Sequence, residues 1–80
     1  MPVAPVRLDT RGLLCPLPII KLAEAIKKIA NGDQIEILSD DFGIQADLPA
    51  WCRSSGNTLV SMNSEGRVIT GIVRKEKRAE

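Results

Sequence analysis

Cys15 is the residue of this chain best placed to do chemistry. It lies in Leu13-Leu14-Cys15-Pro16-Leu17-Pro18-Ile19-Ile20, a thiol directly ahead of a proline-primed helix. Proline suits a first helical turn because its missing N–H would be unpaired there anyway. A cysteine at that point meets the free N–H groups and the positive dipole end of the helix, and both favour a thiolate. Cysteines so placed fall from a pKa of about 8.5 to between roughly 3.5 and 7.5. The expectation is a depressed pKa for Cys15 and nucleophilic sulfur chemistry. The second cysteine, Cys52, falls on the apolar side of a later helix beside Trp51 and reads as an inert core residue. Two isolated cysteines make neither a disulfide framework nor a zinc site.

The elements around Cys15 follow from periodicity. Val6 to Thr10 alternates and suits a first strand. Arg11-Gly12 breaks it, and Gly12 can take a backbone angle that lets the loop turn Cys15 toward solvent. From Pro16 to Ala30 the apolar residues Ile19, Leu22, Ala23, Ile26, Ile29 and Ala30 recur at helical spacing, with Asn31-Gly32 as the stop. Gln34 to Ser39 reads as a second strand. A second helix falls between Ile44 and Ser55, where Asp47 is expected to cap the main body with Pro49 in its first turn, and Gly56 ends it. Thr58 to Met62 and Val68 to Val73 make a hairpin around an Asn63–Gly66 turn. The order βαβαββ predicts an α/β (α+β) two-layer sandwich, a four-stranded mixed sheet with two helices on one face. One domain is expected, with its core over about 6–75 and frayed ends at 1–5 and 76–80.

Composition narrows the function. The 80 residues are 44% hydrophobic and 26% charged, an ordinary globular balance, and Phe42 and Trp51 are the only aromatic residues. A net charge of +1 with so little to stack on a base argues against nucleic-acid binding. Histidine is absent, which removes the commonest metal ligand and general base. No metal or cofactor is expected. Met1 to Arg7 lacks the apolar core of a signal peptide and no run reaches membrane-spanning length, so the expected setting is a reducing cytoplasm.

The charged residues near the motif have competing readings. Arg11 is either a solvated side chain or a cation favouring the Cys15 anion. Asp9 reads as a turn residue, because a carboxylate beside the thiol would oppose its ionisation. Asp40, Asp41 and Asp47 read as turn and cap residues rather than metal ligands or catalytic acids. Lys21 reads as a solvated helix residue.

The pattern Leu8-Asp9-x-x-Gly12-Leu13-x-Cys15-Pro16-x-Pro18, followed by Asp40-Asp41, Asp47-Leu48-Pro49, Trp51-Cys52 and Gly56, resembles the TusA/SirA/YedF sulfur-carrier family. The likeness spans residues 8 to about 75. It implies a βαβαββ fold and a persulfide carried on the motif cysteine, which by position is Cys15, supported by Gly12, Pro16 and Pro18. It also implies a sulfur donor, a cysteine desulfurase or rhodanese-like protein, and a thiol acceptor protein or sulfur transporter. Destinations in the family include tRNA thiolation, molybdenum cofactor maturation and sulfur oxidation.

The chain departs from that pattern at two places. Carriers serving tRNA thiolation usually have Arg before the motif cysteine and Glu between the prolines, where this chain has Leu14 and Leu17. Leu13, Leu14 and Leu17, with Arg11 beside them, are therefore the expected partner-docking residues. Such a carrier, acting as a monomer rather than as a turnover enzyme, needs no strong base and no nearby resolving thiol. The competing reading is a regulatory or binding module with Cys15 as a redox-sensing or docking residue.

Overall fold

The computed structural model describes residues 5–76. The elements are β1 Val6–Asp9, α1 Leu17–Ile26, β2 Gln34–Ser39, α2 Ile44–Ser55, β3 Thr58–Glu65 and β4 Val68–Arg74. The sheet order is β1-β2-β4-β3. β1 runs parallel to β2, and β4 lies antiparallel to both β2 and β3. The sheet is therefore mixed, and β4 fills the gap that the β2–α2–β3 crossover leaves open.

Both helices cover the same face. Ile35 and Ile37 of β2 and Ile69 and Val73 of β4 alternate along their strands. They join Leu22 and Ile26 of α1 and Ile44, Leu48 and Cys52 of α2 in one buried cluster. The two layers approach closely at Gly71 of β4. A Cβ there would stand 2.6 Å from Cδ2 of Leu48, which is itself fully buried.

Several boundaries differ from the sequence expectation. α1 stops at Ile26 rather than Ala30. The backbone beyond it is claimed by other parts of the chain: Lys75 Nζ donates to the Ile29 carbonyl, the Gly32 N–H donates to the Lys75 carbonyl, and Asp33 accepts from the Ala30 N–H. β1 ends one residue early, because Thr10 turns its hydroxyl and its N–H onto the Leu38 carbonyl and is buried there. α2 starts at Ile44, so Pro49 lies inside the helix and Asp47 is in the first turn without capping it. The hairpin is longer than its polar sequence suggests. Asn63, Ser64 and Glu65 pair with Thr70, Ile69 and Val68, leaving a two-residue turn at Gly66-Arg67.

The expected frayed ends fall largely at residues 1–4 and 77–80, outside the described residues. Glu76, however, is held in place. It accepts from the Thr58 hydroxyl and from Arg74 Nε, and its N–H donates to Asn57 Oδ1. The bonds from Thr58 and Arg74 lower the pKa of its carboxyl from the ordinary value.

Gly71→Ala tests the close approach of the layers. A methyl against the fully buried Leu48 should cost about 1–3 kcal/mol, read as a lower denaturant midpoint with an unchanged slope.

Candidate functional site

The site begins with the loop from Thr10 to Pro16, whose backbone is fastened residue by residue. The Arg11 N–H donates to Oδ1 of Asp9, a local Asx turn. Gly12 has φ +89° and its N–H donates to Oδ1 of Asp40 at 3.0 Å. The Leu13 N–H returns to the Thr10 carbonyl. The Cys15 N–H donates to Oδ2 of Asp41 at 2.6 Å. The other oxygen of Asp41 accepts the Gly43 N–H at 3.0 Å, just before α2. One carboxylate thus ties the thiol-bearing loop to the start of the second helix. Two donated N–H bonds favour its ionised form and lower its pKa from the ordinary 3.8.

Cys15 itself is exposed. It is set before α1 by Pro16, the residue preceding the helix, with Pro18 at the second helical position. The proline-primed start expected from the sequence is present. The free N–H groups expected beside the thiol are not. The Leu17 N–H is taken by the Leu14 carbonyl, the Ile19 and Ile20 N–H groups both go to the Pro16 carbonyl, and Pro18 has none. α2 is equally closed, with the Ile44, Gln45, Ala46 and Asp47 N–H groups satisfied by Asp41, Phe42 and Gly43 carbonyls. Neither helix offers the thiol an open donor.

Cys15 faces a carboxylate instead. Its Sγ–H donates to Oδ2 of Asp47. That bond stabilises the protonated form, and the negative charges of Asp47 and Asp41 oppose a third anion beside them. The Cys15 pKa is therefore raised, chiefly by the Asp47 hydrogen bond, then by desolvation and the two carboxylate charges. This overturns the depressed pKa expected from the sequence. It also reassigns Asp47, which was expected as a cap. Spacing alone did carry one usable signal: Asp47 follows Ile44 by three residues, one turn along α2. Only the fold reveals what that turn faces.

Arg11 does not serve the thiol. Its Nε and Nη2 bind the two oxygens of Asp9 at 2.9 and 2.7 Å, and the pair holds Asp9 at a pKa of about 2. The turn role expected for Asp9 is the one observed. Lys21 is an exposed helix residue. Cys52 is buried in the core, where desolvation pushes its pKa to about 11. Both cysteines are free.

A crevice between the helix starts is lined by Cys15, Pro18, Ile19, Asp41, Ile44 and Asp47. Around it Leu14 is 71% exposed and Leu17 44%, while Leu13 is half-buried. Phe42 is 59% exposed and follows directly on Asp41, and the sequence reading gave it no place at the site. Among the described residues no group of three or more Cys, Asp or Glu side chains is arranged to hold a metal ion. No helix among them is long and apolar enough to cross a membrane.

Residues 6–75 match the family described as Sulfurtransferase TusA. The chain belongs to the TusA family. Relatives agree. YrkF of Bacillus subtilis, named as a sulfur carrier protein, is 38% identical over 72 residues, which are 90% of this chain and 39% of YrkF. YrkI of the same organism, also named as a sulfur carrier, is 34% identical over 68 residues, covering 85% of this chain and 91% of YrkI. The chain thus spans well under half of the first relative and nearly all of the second. A SirA-like protein of Desulfitobacterium hafniense has the same fold, with a TM-score of 0.78 over 90% of this chain and 99% of its own, at 19% identity. This TusA-family chain is a four-stranded mixed sheet under two helices, as its sequence predicted.

The Asp41 clamp has a pH signature. The stabilisation it supplies is complete above the ordinary carboxylate pKa and is lost as pH falls through its lowered value. The Cys15 and Gly43 amide resonances should therefore titrate together, with a midpoint below 3.8, and the Asp41→Asn protein should show no such step. NMR titration of the two amides checks this.

Proposed function

We propose that this TusA-family chain is a sulfur carrier that accepts sulfane sulfur as a persulfide on Cys15 and relays it to an acceptor protein. The observation that supports it most is an exposed thiol on a loop whose backbone is pinned at both sides, with the only other cysteine locked in the core. Loading exchanges one bond for another. Cys15 Sγ bonds to the outer sulfur of a donor persulfide, the donor's S–S bond breaks, and the thiol proton ends on the departing donor thiol. Delivery reverses the roles, with an acceptor thiolate attacking the outer sulfur and Cys15 leaving. No net oxidation occurs in either step.

Gly12, Pro16 and Pro18 serve this by holding the loop in one shape, which lowers the ordering cost of docking. Leu14 and Leu17, with Leu13 partly covered behind them, supply an apolar rim for the partner. A redox-sensing role is less well supported. It calls for a low-pKa thiol with a resolving partner, whereas here the Cys15 pKa is raised and Cys52 is buried.

The test is intact-mass spectrometry after incubation with a cysteine desulfurase and cysteine, and separately with a rhodanese and thiosulfate. The expected result is a one-sulfur adduct, lost on reduction, present in Cys52→Ser and absent in Cys15→Ser. No adduct from either donor would overturn the carrier reading. A Leu17→Glu protein should load and unload more slowly with its protein partner by roughly tenfold, the cost of about 1.4 kcal/mol of docking energy.

A further inference from the structure

We propose that Asp47 sets both the reactivity and the charge preference of Cys15, holding the proton on sulfur in the free protein and favouring reaction partners that bring positive charge into the crevice. This rests on Cys15 being the reacting group of the carrier.

The argument starts from contact. Asp47 accepts the Sγ–H directly, so it touches the reacting atom. Its side chain has no other hydrogen bond or ion pair among the described residues, so it is not occupied in holding the fold together. The charges around the thiol are one-sided. From α2 comes Asp47; from the β2–α2 loop come Asp41, on the Cys15 N–H, and Asp40, on the Gly12 N–H. The cation on the thiol's own loop, Arg11, is neutralised by Asp9 in a two-bond pair. Lys21 of α1 is solvent-exposed, and the charges that act on Cys15 are Asp47 and Asp41. The helix starts add no open N–H donor.

Two consequences follow. First, a thiolate forming in the free protein would stand beside two carboxylates, so diffusing electrophiles and disulfides find mostly thiol. Second, a partner with a Lys or Arg side chain at the crevice, between the apolar contacts of Leu14, Leu17 and Phe42, would offset those carboxylates and release the thiolate where it is needed. The cation acts through space and enters no bond. The partner class is thus a protein surface that is apolar with a cation at its centre.

Thiol–disulfide exchange reads this without any sulfur donor. In each reaction a bond forms between Sγ and one reagent sulfur, the reagent's S–S bond breaks, and the thiol proton leaves with the released thiol. The probes are cystamine (cationic), hydroxyethyl disulfide (neutral) and dithiodiglycolate (anionic), at pH 7 and low salt. Each rate is divided by that of mercaptoethanol with the same reagent, which removes leaving-group differences. Site occupancy is read at Cys15 by peptide mass.

For the native protein the expected order is cationic, neutral, anionic, with a spread of about tenfold that shrinks on adding salt. In Asp47→Asn the spread should fall to about threefold or less, and the neutral reagent should react faster. A tenfold gain in thiolate gives only about a threefold gain in rate, because nucleophilicity falls with basicity. Asp47→Ala should move the same way, and unchanged circular dichroism should accompany both. Slower reaction of the neutral reagent in Asp47→Asn would overturn the proposal by making Asp47 an activating base. A charge order absent from the native protein, or unaltered in both variants, would overturn it too. Failure to load persulfide with this charge order intact would sink the carrier reading alone.

Discussion

The Asp41 carboxylate is the interaction on which the site depends. Its two oxygens accept N–H groups from parts of the chain that share no secondary structure, Cys15 before α1 and Gly43 before α2. Without that bridge the thiol loop and the second helix would be joined near the thiol only by side-chain contact. With it, the Cys15 backbone is referenced to α2, and Asp47, one turn into that helix, is brought against Sγ. Gly43 lies beside the thiol residue, and a Cβ there would stand at ordinary contact distance, 3.6 Å, from Cys15 Cβ. The geometry of the thiol is therefore set by a contact between two loops and only secondarily by the helix that follows it.

This changes what a cysteine at a helix start means. The usual argument counts open N–H groups and a dipole. Here the two prolines of the Pro-x-Pro spacing, Pro16 and Pro18, carry no N–H at all, and the neighbouring N–H groups go to the Leu14 and Pro16 carbonyls. A hydrogen bond to a carboxylate and a second carboxylate nearby then dominate, because charges in contact outweigh a partial charge whose donors are already paired. Proline in this motif acts on shape. It presents the sulfur, and the charge of the site comes from elsewhere in the chain.

The chain belongs to the TusA family and shares its fold with the SirA-like structure. In the proposed role the chain must hold its cargo between encounters and give it up within one. A pinned loop satisfies the first need by presenting the sulfur in one orientation. An acidic setting that a partner can offset is suited to the second, since reactivity then depends on who has docked. Leu14 and Leu17 leave an exposed apolar rim around this sulfur.

The architecture was largely legible from local pattern. Alternation marked β1, the three-and-four spacing marked both helices, and the motif around Cys15 marked the thiol that the fold leaves exposed. What misled were places where polar groups are claimed from outside the regular pattern of their own segment. Asn63 to Glu65 looked like a turn, yet their backbones pair with β4. Ile29 and Ala30 looked helical, yet Lys75 and Asp33 claim their backbone atoms. Asp47 looked like a cap, since an acidic residue near a helix start has that role in most settings. The amino-acid sequence by itself determined which residues are apolar, where the backbone must bend and where a thiol precedes a helix, because these depend on neighbours within a few positions. Only the tertiary structure decided that β4 lies between β2 and β3 and that Asp47 meets Cys15, 32 residues away. Both depend on how separate elements close over one core, and local spacing carries no record of that.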